Sequence, residues 1–82
     1  MTTDLTHRIH SLIDEGLFPL HQSVTEDTDL LAEGLDSLAL MQLIVLLEKE
    51  FSINVSPADL DRKNFSTLAN IANMVREKAS LP

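Results

Sequence analysis

Ser37-Leu38-Ala39-Leu40-Met41-Gln42-Leu43-Ile44-Val45-Leu46-Leu47-Glu48-Lys49-Glu50-Phe51 runs fifteen residues without a glycine or proline. Leu, Met, Gln, Glu and Lys all favour helix, so the stretch reads as one helix from Ser37 through Phe51. Stepping about 100° per residue from Ser37 puts Leu40, Leu43, Ile44, Leu47 and Phe51 in one arc of roughly 240° to 340°. That arc is the core face. Leu38, Met41 and Val45 fall between about 40° and 100°, on the side that carries Ser37. A small bundle buries one face of a helix easily and both faces rarely. The helix is therefore either central and fully enclosed, or its second strip is a docking surface, and the two cases predict opposite burial.

Outward from this helix the chain supplies partners for its core face. Leu5, Ile9, Leu12 and Ile13 recur at helical spacing after Thr3, a candidate N-cap, and predict a first helix from about residue 4 to Glu15, ended by Gly16. Residues 17–36 hold Pro19, Gly34 and several Ser, Thr and Asp without a sustained period, which reads as a long loop. Its apolar members Leu17, Phe18, Leu20, Val24, Leu30 and Leu31 predict an ordered crossover packed over the core. Beyond Phe51, Ser56-Pro57-Ala58-Asp59 reads as N-cap, Pro at the first helical position and an acid at the third, opening a short helix that ends near Arg62. Ser66 is the expected cap of a last helix, in which Leu68, Ile71, Ala72, Val75 and Ala79 form one stripe and Arg76 and Lys78 lie near the C-terminal end. The fold class is all-α: a small bundle of three main helices plus one short helix, with a long ordered loop between the first and second helices. Phe51–Val55 is the one ambiguous strand signal.

The chain has 82 residues, enough for a single domain spanning 1–82 and too few for a large enclosed active site. Hydrophobic residues at 44% and charged ones at 23% place it among globular proteins rather than disordered chains. The net charge of −7 argues against nucleic acid and anionic membrane as partners and favours basic protein surfaces. Residues 1–36 carry Asp4, Asp14, Glu15, Glu26, Asp27, Asp29, Glu33 and Asp36 against Arg8 alone, whereas the rest of the chain is balanced. Without cysteine, disulfides, thiolate nucleophiles and cysteine metal sites are excluded, and any sulfur chemistry needs an imported thiol. The N-terminal segment MTTDLTHRIH lacks a basic region followed by an apolar run, and no stretch approaches the length of a membrane span, so the expected location is cytoplasmic.

Ser37 follows Gly34-Leu35-Asp36 and opens the long helix, so a group carried on its oxygen sits at the positive helix end near unpaired backbone N–H groups. A phosphate is favoured there. On these grounds alone, an N-cap role for Ser37 or Asp36 is the ordinary reading of the position, and spacing does not overturn it.

Gly34-Leu35-Asp36-Ser37-Leu38, followed by the apolar helix to Phe51, resembles the phosphopantetheine attachment motif of acyl and peptidyl carrier proteins. Asp27-Thr28-Asp29-Leu30-Leu31 before it, Phe51-Ser52-Ile53-Asn54-Val55 after it, and Phe65-Ser66-Thr67-Leu68 at the last helix stand where carrier proteins have comparable segments. The resemblance covers essentially the whole chain. It implies that Ser37 accepts 4′-phosphopantetheine from coenzyme A through a phosphodiester bond and becomes a phosphoprotein, with Asp36 and Leu38 beside the modified serine. Cargo is then held as a thioester on the arm. It gives Leu38, Met41 and Val45 the role of partner contacts, matching the second strip. It implies a non-enzymatic monomer without catalytic residues, served by a phosphopantetheinyl transferase, a loading ligase or acyltransferase, and downstream biosynthetic enzymes.

The chain departs from fatty-acid carriers in holding Ala39 and Gln42 where those usually show acids, so that Glu48 is the first acid on the helix. It departs from peptidyl carriers in having the single Gly34 before the serine. A free-standing carrier for an amino acid or a specialised acyl unit fits better than the housekeeping fatty-acid carrier, and the length favours a complete protein over an excised domain. The alternative is a small helical adaptor that binds protein partners and uses Ser37 only as an N-cap. His7 and His10 lie at i, i+3, but a third ligand at defined spacing is missing and His21 falls in the loop, so no metal site is expected. Glu26, Asp27, Asp29 and Glu33 lack the glycine and terminal glutamate of a calcium loop. Met74 reads as a packing residue, and Met41 is distinguished by its place on the strip beside Ser37.

Overall fold

The computed structural model describes residues 2–20 and 23–79, with the side chains of residues 5–20, 23–61 and 63–79. His21 lies outside the described residues. Among the described residues five α-helices and one 3-10 turn follow in order: α1 Thr2–Gly16, α2 Leu30–Glu33, α3 Ser37–Phe51, the turn Pro57–Asp59, α4 Arg62–Phe65 and α5 Leu68–Ala79. No strand forms among the described residues, and Phe51–Val55 instead carries the end of α3 into a loop. The all-helical bundle with three long helices is as expected; the one expected short helix is the 3-10 turn, and α2 and α4 are short helices beyond those the periodicity indicates.

α1 begins at Thr2, so Thr3 lies inside the first turn and does not cap it. Leu5, Ile9 and Ile13 are buried on one face, and the helix packs chiefly against α5. Gly16 is the last helical residue, and its bare Cα faces α3, where an added Cβ would stand 3.0 Å from Leu46 Cδ1. α3 spans Ser37 to Phe51 as expected; it ends at Ser52, whose N–H still bonds the Glu48 carbonyl and whose left-handed backbone (φ 54°) turns the Ile53 N–H onto the same carbonyl at 3.3 Å. The expected stripe of α5 is the observed one: Leu68, Ile71, Ala72 and Val75 are buried and Ala79 is partly so, joined by Met74. At the far end of α3 from Ser37, the Arg8 guanidinium meets Glu50 at 2.9 Å and stacks 4.7 Å from the Phe51 ring centre.

The crossover between α1 and α3 is ordered by backbone hydrogen bonds. Leu17 and Phe18 N–H groups close α1 on the Ile13 carbonyl, and Leu20 N–H reaches the Asp14 carboxylate at 2.7 Å. Further on, Leu30 N–H donates to the Ser66 carbonyl at 2.8 Å and Ala69 N–H to the Glu26 carbonyl at 3.0 Å, stitching the crossover to the start of α5. Leu20, Val24 and Leu30 enter the core and Leu17 and Phe18 pack against it, as expected, but Leu31 does not. Its buried neighbour Leu30 takes the inward direction of a single-turn helix, and Leu31 turns outward, 41% exposed.

Two helix starts differ from expectation. The short helix expected from Ser56 to about Arg62 is a 3-10 turn that stops at Asp59, because Asp61 opens a new helix by accepting the Lys63 N–H at 3.1 Å. Ser66 closes α4 instead of capping α5: its hydroxyl donates to the Lys63 carbonyl and its own carbonyl is engaged by Leu30. The cap of α5 is Thr67, whose hydroxyl accepts the Asn70 N–H at 3.1 Å.

Candidate functional site

The site grows from the turn that precedes α3. Asp29 caps α2 by accepting the Leu31 N–H at 3.0 Å, and Gly34 closes that helix with φ 122°, a conformation that side-chain-bearing residues rarely adopt. Leu35, almost fully buried, then anchors the chain and turns it toward α3. Asp36 is the N-cap: its side chain accepts the Ala39 N–H at 2.9 Å and its carbonyl accepts the Leu40 N–H at 2.8 Å. Ser37 is consequently the first helical residue, and the reading of Ser37 as an N-cap is corrected. Asp36 holds that place because its side chain reaches the Ala39 N–H from the extended backbone conformation of a cap.

Ser37 is exposed, and its hydroxyl makes no hydrogen bond among the described residues. Of the four N–H groups at the helix start that lack an intrahelical partner, that of Asp36 bonds the Gly34 carbonyl and that of Ala39 the Asp36 carboxylate, leaving those of Ser37 and Leu38 unpaired among the described residues at the positive end of a fifteen-residue helix. Beside the serine lies an open cleft of about 190 Å³, walled by Leu31, Leu35, Leu40 and Phe65, with Asp36 and Ser37 at its edge. A phosphodiester on Ser37 Oγ thus finds backbone donors, and the chain beyond it finds apolar wall and open solvent.

Along α3 the two arcs separate by burial. Leu43, Ile44 and Leu47 are buried and Leu40 and Phe51 partly so, while Leu38 is 70%, Met41 56% and Val45 50% exposed. The helix is not enclosed. Leu38, Met41 and Val45 form a solvent-facing strip that starts next to Ser37, and Met74 packs inside. Leu31 adds an exposed leucine on the other side of the serine. Sequence periodicity missed it, although Asp29 and Gly34 bracket a single helical turn in which adjacent Leu30 and Leu31 cannot both face inward.

A larger open groove of about 380 Å³ lies between α1 and the end of α3, lined in part by His7, Arg8 and Glu50. Its charged pair is already engaged, Arg8 with Glu50. Among the described residues no three His, Asp or Glu side chains converge to hold a metal ion, and no helix is long and apolar enough to cross a membrane.

Residues 18–75 match the family model of the phosphopantetheine attachment site. A D-alanyl carrier protein of Lactococcus lactis subsp. cremoris is 45% identical over 53 residues, covering 63% of this chain and 67% of that protein. An acyl carrier protein of Thermotoga maritima is 33% identical over 76 residues, 92% of this chain and 91% of that protein. The resemblance read from Gly34–Leu38 therefore extends over the whole helical frame around Ser37. The chain belongs to the phosphopantetheine-binding carrier proteins, non-enzymatic proteins that hold acyl or aminoacyl groups on a covalently attached 4′-phosphopantetheine and work with transferases and ligases.

Proposed function

We propose that Ser37 is the residue that bears the arm, and that residues 1–82 act as one carrier domain for an amino acid or a specialised acyl unit. The observation that carries this reading is the setting of the Ser37 hydroxyl. It is exposed, lacks a hydrogen-bond partner among the described residues, and stands at the positive end of α3, whose Ser37 and Leu38 N–H groups are likewise unpaired among them. The residues fit the group: the donors suit its phosphate, and the neighbouring cleft of about 190 Å³ suits the apolar part of the chain that follows. When attached, the arm supplies the thiol that this cysteine-free chain lacks, and cargo is held there as a thioester.

Asp36 keeps the helix start in shape by capping Ala39, and Leu38, with Met41 and Val45, offers the apolar surface on which a phosphopantetheinyl transferase, a loading ligase and downstream enzymes dock in turn. The cargo class is supported by the bare polar face of α3. No charged residue occurs from Ser37 to Leu47, so a partner that grips acids on this helix finds none. Similarity to a D-alanyl carrier protein points the same way.

The test is the intact mass of the purified chain after incubation with coenzyme A and a broad-specificity phosphopantetheinyl transferase, with the modified peptide mapped. One added phosphopantetheine on Ser37, absent in Ser37→Ala, is the expected result. No gain under conditions that modify a known carrier overturns the assignment and leaves the helical adaptor.

A further inference from the structure

Leu31 was expected in the core and is instead 41% exposed, on the rim of the cleft that Ser37 shares. The turn that carries it is firmly held. Leu30 beneath it is fully buried, Leu30 N–H is bound to the Ser66 carbonyl at 2.8 Å, and the Asp29 carboxylate fixes the Leu31 N–H at 3.0 Å. The outward direction of Leu31 is thus set by the local backbone. On the other side of the serine the apolar surface continues through Leu38, Met41 and Val45.

Charge is divided unequally along the chain on the two sides of Ser37. Glu26, Asp27, Asp29, Glu33 and Asp36 are all exposed on the segment before Ser37, with no base among residues 23–36, whereas Ser37 to Leu47 carries no charge at all. An enzyme that delivers the arm from coenzyme A has to hold that molecule's phosphates, and so carries lysines or arginines near the point of transfer. On this carrier those cations meet acids on one flank only.

We propose that the loading transferase docks astride Ser37, with Leu31 as an apolar contact continuous with Leu38, Met41 and Val45, and with its cations on the α2 flank against Asp29 and Glu33. This rests on the assignment of Ser37 as the attachment residue. Covering the exposed part of Leu31 strengthens the docked complex, while rim acids chiefly speed encounter and lose their effect as salt rises.

The experiment measures arm transfer to the full chain by the same broad-specificity transferase with coenzyme A, comparing wild type with Leu31→Ser, Glu33→Lys and Glu77→Lys. Glu77 is an exposed acid on α5, so its reversal changes net charge equally without touching the proposed surface. Leu31→Ser is expected to raise KM about five- to tenfold with kcat nearly unchanged. Glu33→Lys is expected to lower kcat/KM several-fold in low salt, with a difference that shrinks at high salt, and Glu77→Lys to match wild type. Far-UV circular dichroism accompanies each variant, and Leu31→Gln replaces Leu31→Ser if serine loosens the turn. Wild-type kinetics in the folded Leu31 variant and in Glu33→Lys overturn the docking surface while leaving the carrier assignment intact. Equal losses in Glu33→Lys and Glu77→Lys overturn its charged half. A wild-type chain that accepts no arm while a known carrier does overturns the assignment of Ser37, and this proposal with it.

Discussion

Asp59, at the end of the 3-10 turn, receives the Lys78 ammonium from the last helical turn of α5 on the same carboxylate oxygen that accepts the Ser56 N–H and hydroxyl. Three donors on one oxygen favour the charged form, and Lys78 foremost, followed by Ser56, holds the Asp59 carboxyl at about 2 against an ordinary 3.8. A depressed acid contributes stability that is complete above 3.8 and is lost as pH falls through about 2. Asp59→Asn should therefore unfold at lower urea than wild type at pH 7. The gap should narrow below about pH 4 and close near pH 2. Urea midpoints across that range check this, and a gap independent of pH would assign the loss to packing.

Gly34 closes α2 at φ 122°, and an added Cβ would meet only the Phe18 ring, at an ordinary 3.6 Å. The cost of Gly34→Ala is accordingly conformational, about 1–3 kcal/mol. Urea unfolding measures it. A neutral Gly34→Ala would show that the turn relaxes without strain. The effect matters for the site because Gly34 directs the chain into Leu35, Asp36 and Ser37.

Ser37–Phe51 is legible to the residue, since an unbroken run of helix formers is bounded by Asp36 on one side and Ser52 on the other. What periodicity could not decide was whether Leu38, Met41 and Val45 are enclosed, because a buried helix and a docking helix share one pattern; exposures of 50–70% decide it. Residues 17–36 were harder for a different reason. A four-residue helix spans barely one period, so α2 leaves no repeat to detect, and the inward place of Leu30, opposite which the local backbone turns Leu31 outward, is fixed by one tertiary bond, from Leu30 N–H to the Ser66 carbonyl. The same bond explains the misplaced start of α5: Ser66 and Thr67 are both good caps, and Ser66 is committed to the crossover and to Lys63.

Asp36 and Ser37 are neighbours with separable duties. Asp36 caps α3 through the Ala39 N–H, so Asp36→Ala should cost about 1 kcal/mol, with Asp36→Ser recovering most of it. Ser37 is exposed at the first helical position, so Ser37→Ala should stay within about 0.5 kcal/mol of wild type while losing arm attachment. Paired urea melts and mass spectra separate the two. A large loss of stability in Ser37→Ala would return the serine to a structural role.

Met41 and Leu43 stand two residues apart on α3 and face opposite environments, Met41 56% exposed and Leu43 fully buried. Leu43→Ala removes side-chain volume from the packed core shared with α1 and α5, and should cost about 2–5 kcal/mol. Met41→Ala removes little that is buried and should stay within about 0.5 kcal/mol. Met41→Glu is the sharper variant, because a charge in the middle of the strip opposes an apolar partner without entering the core. It should slow arm transfer, chiefly through KM, and leave the helical circular dichroism spectrum unchanged. Loss of helicity in Met41→Glu would place Met41 in the core. Unchanged transfer with intact helicity would remove Met41 from the docking surface and leave Leu38 and Val45 to carry it.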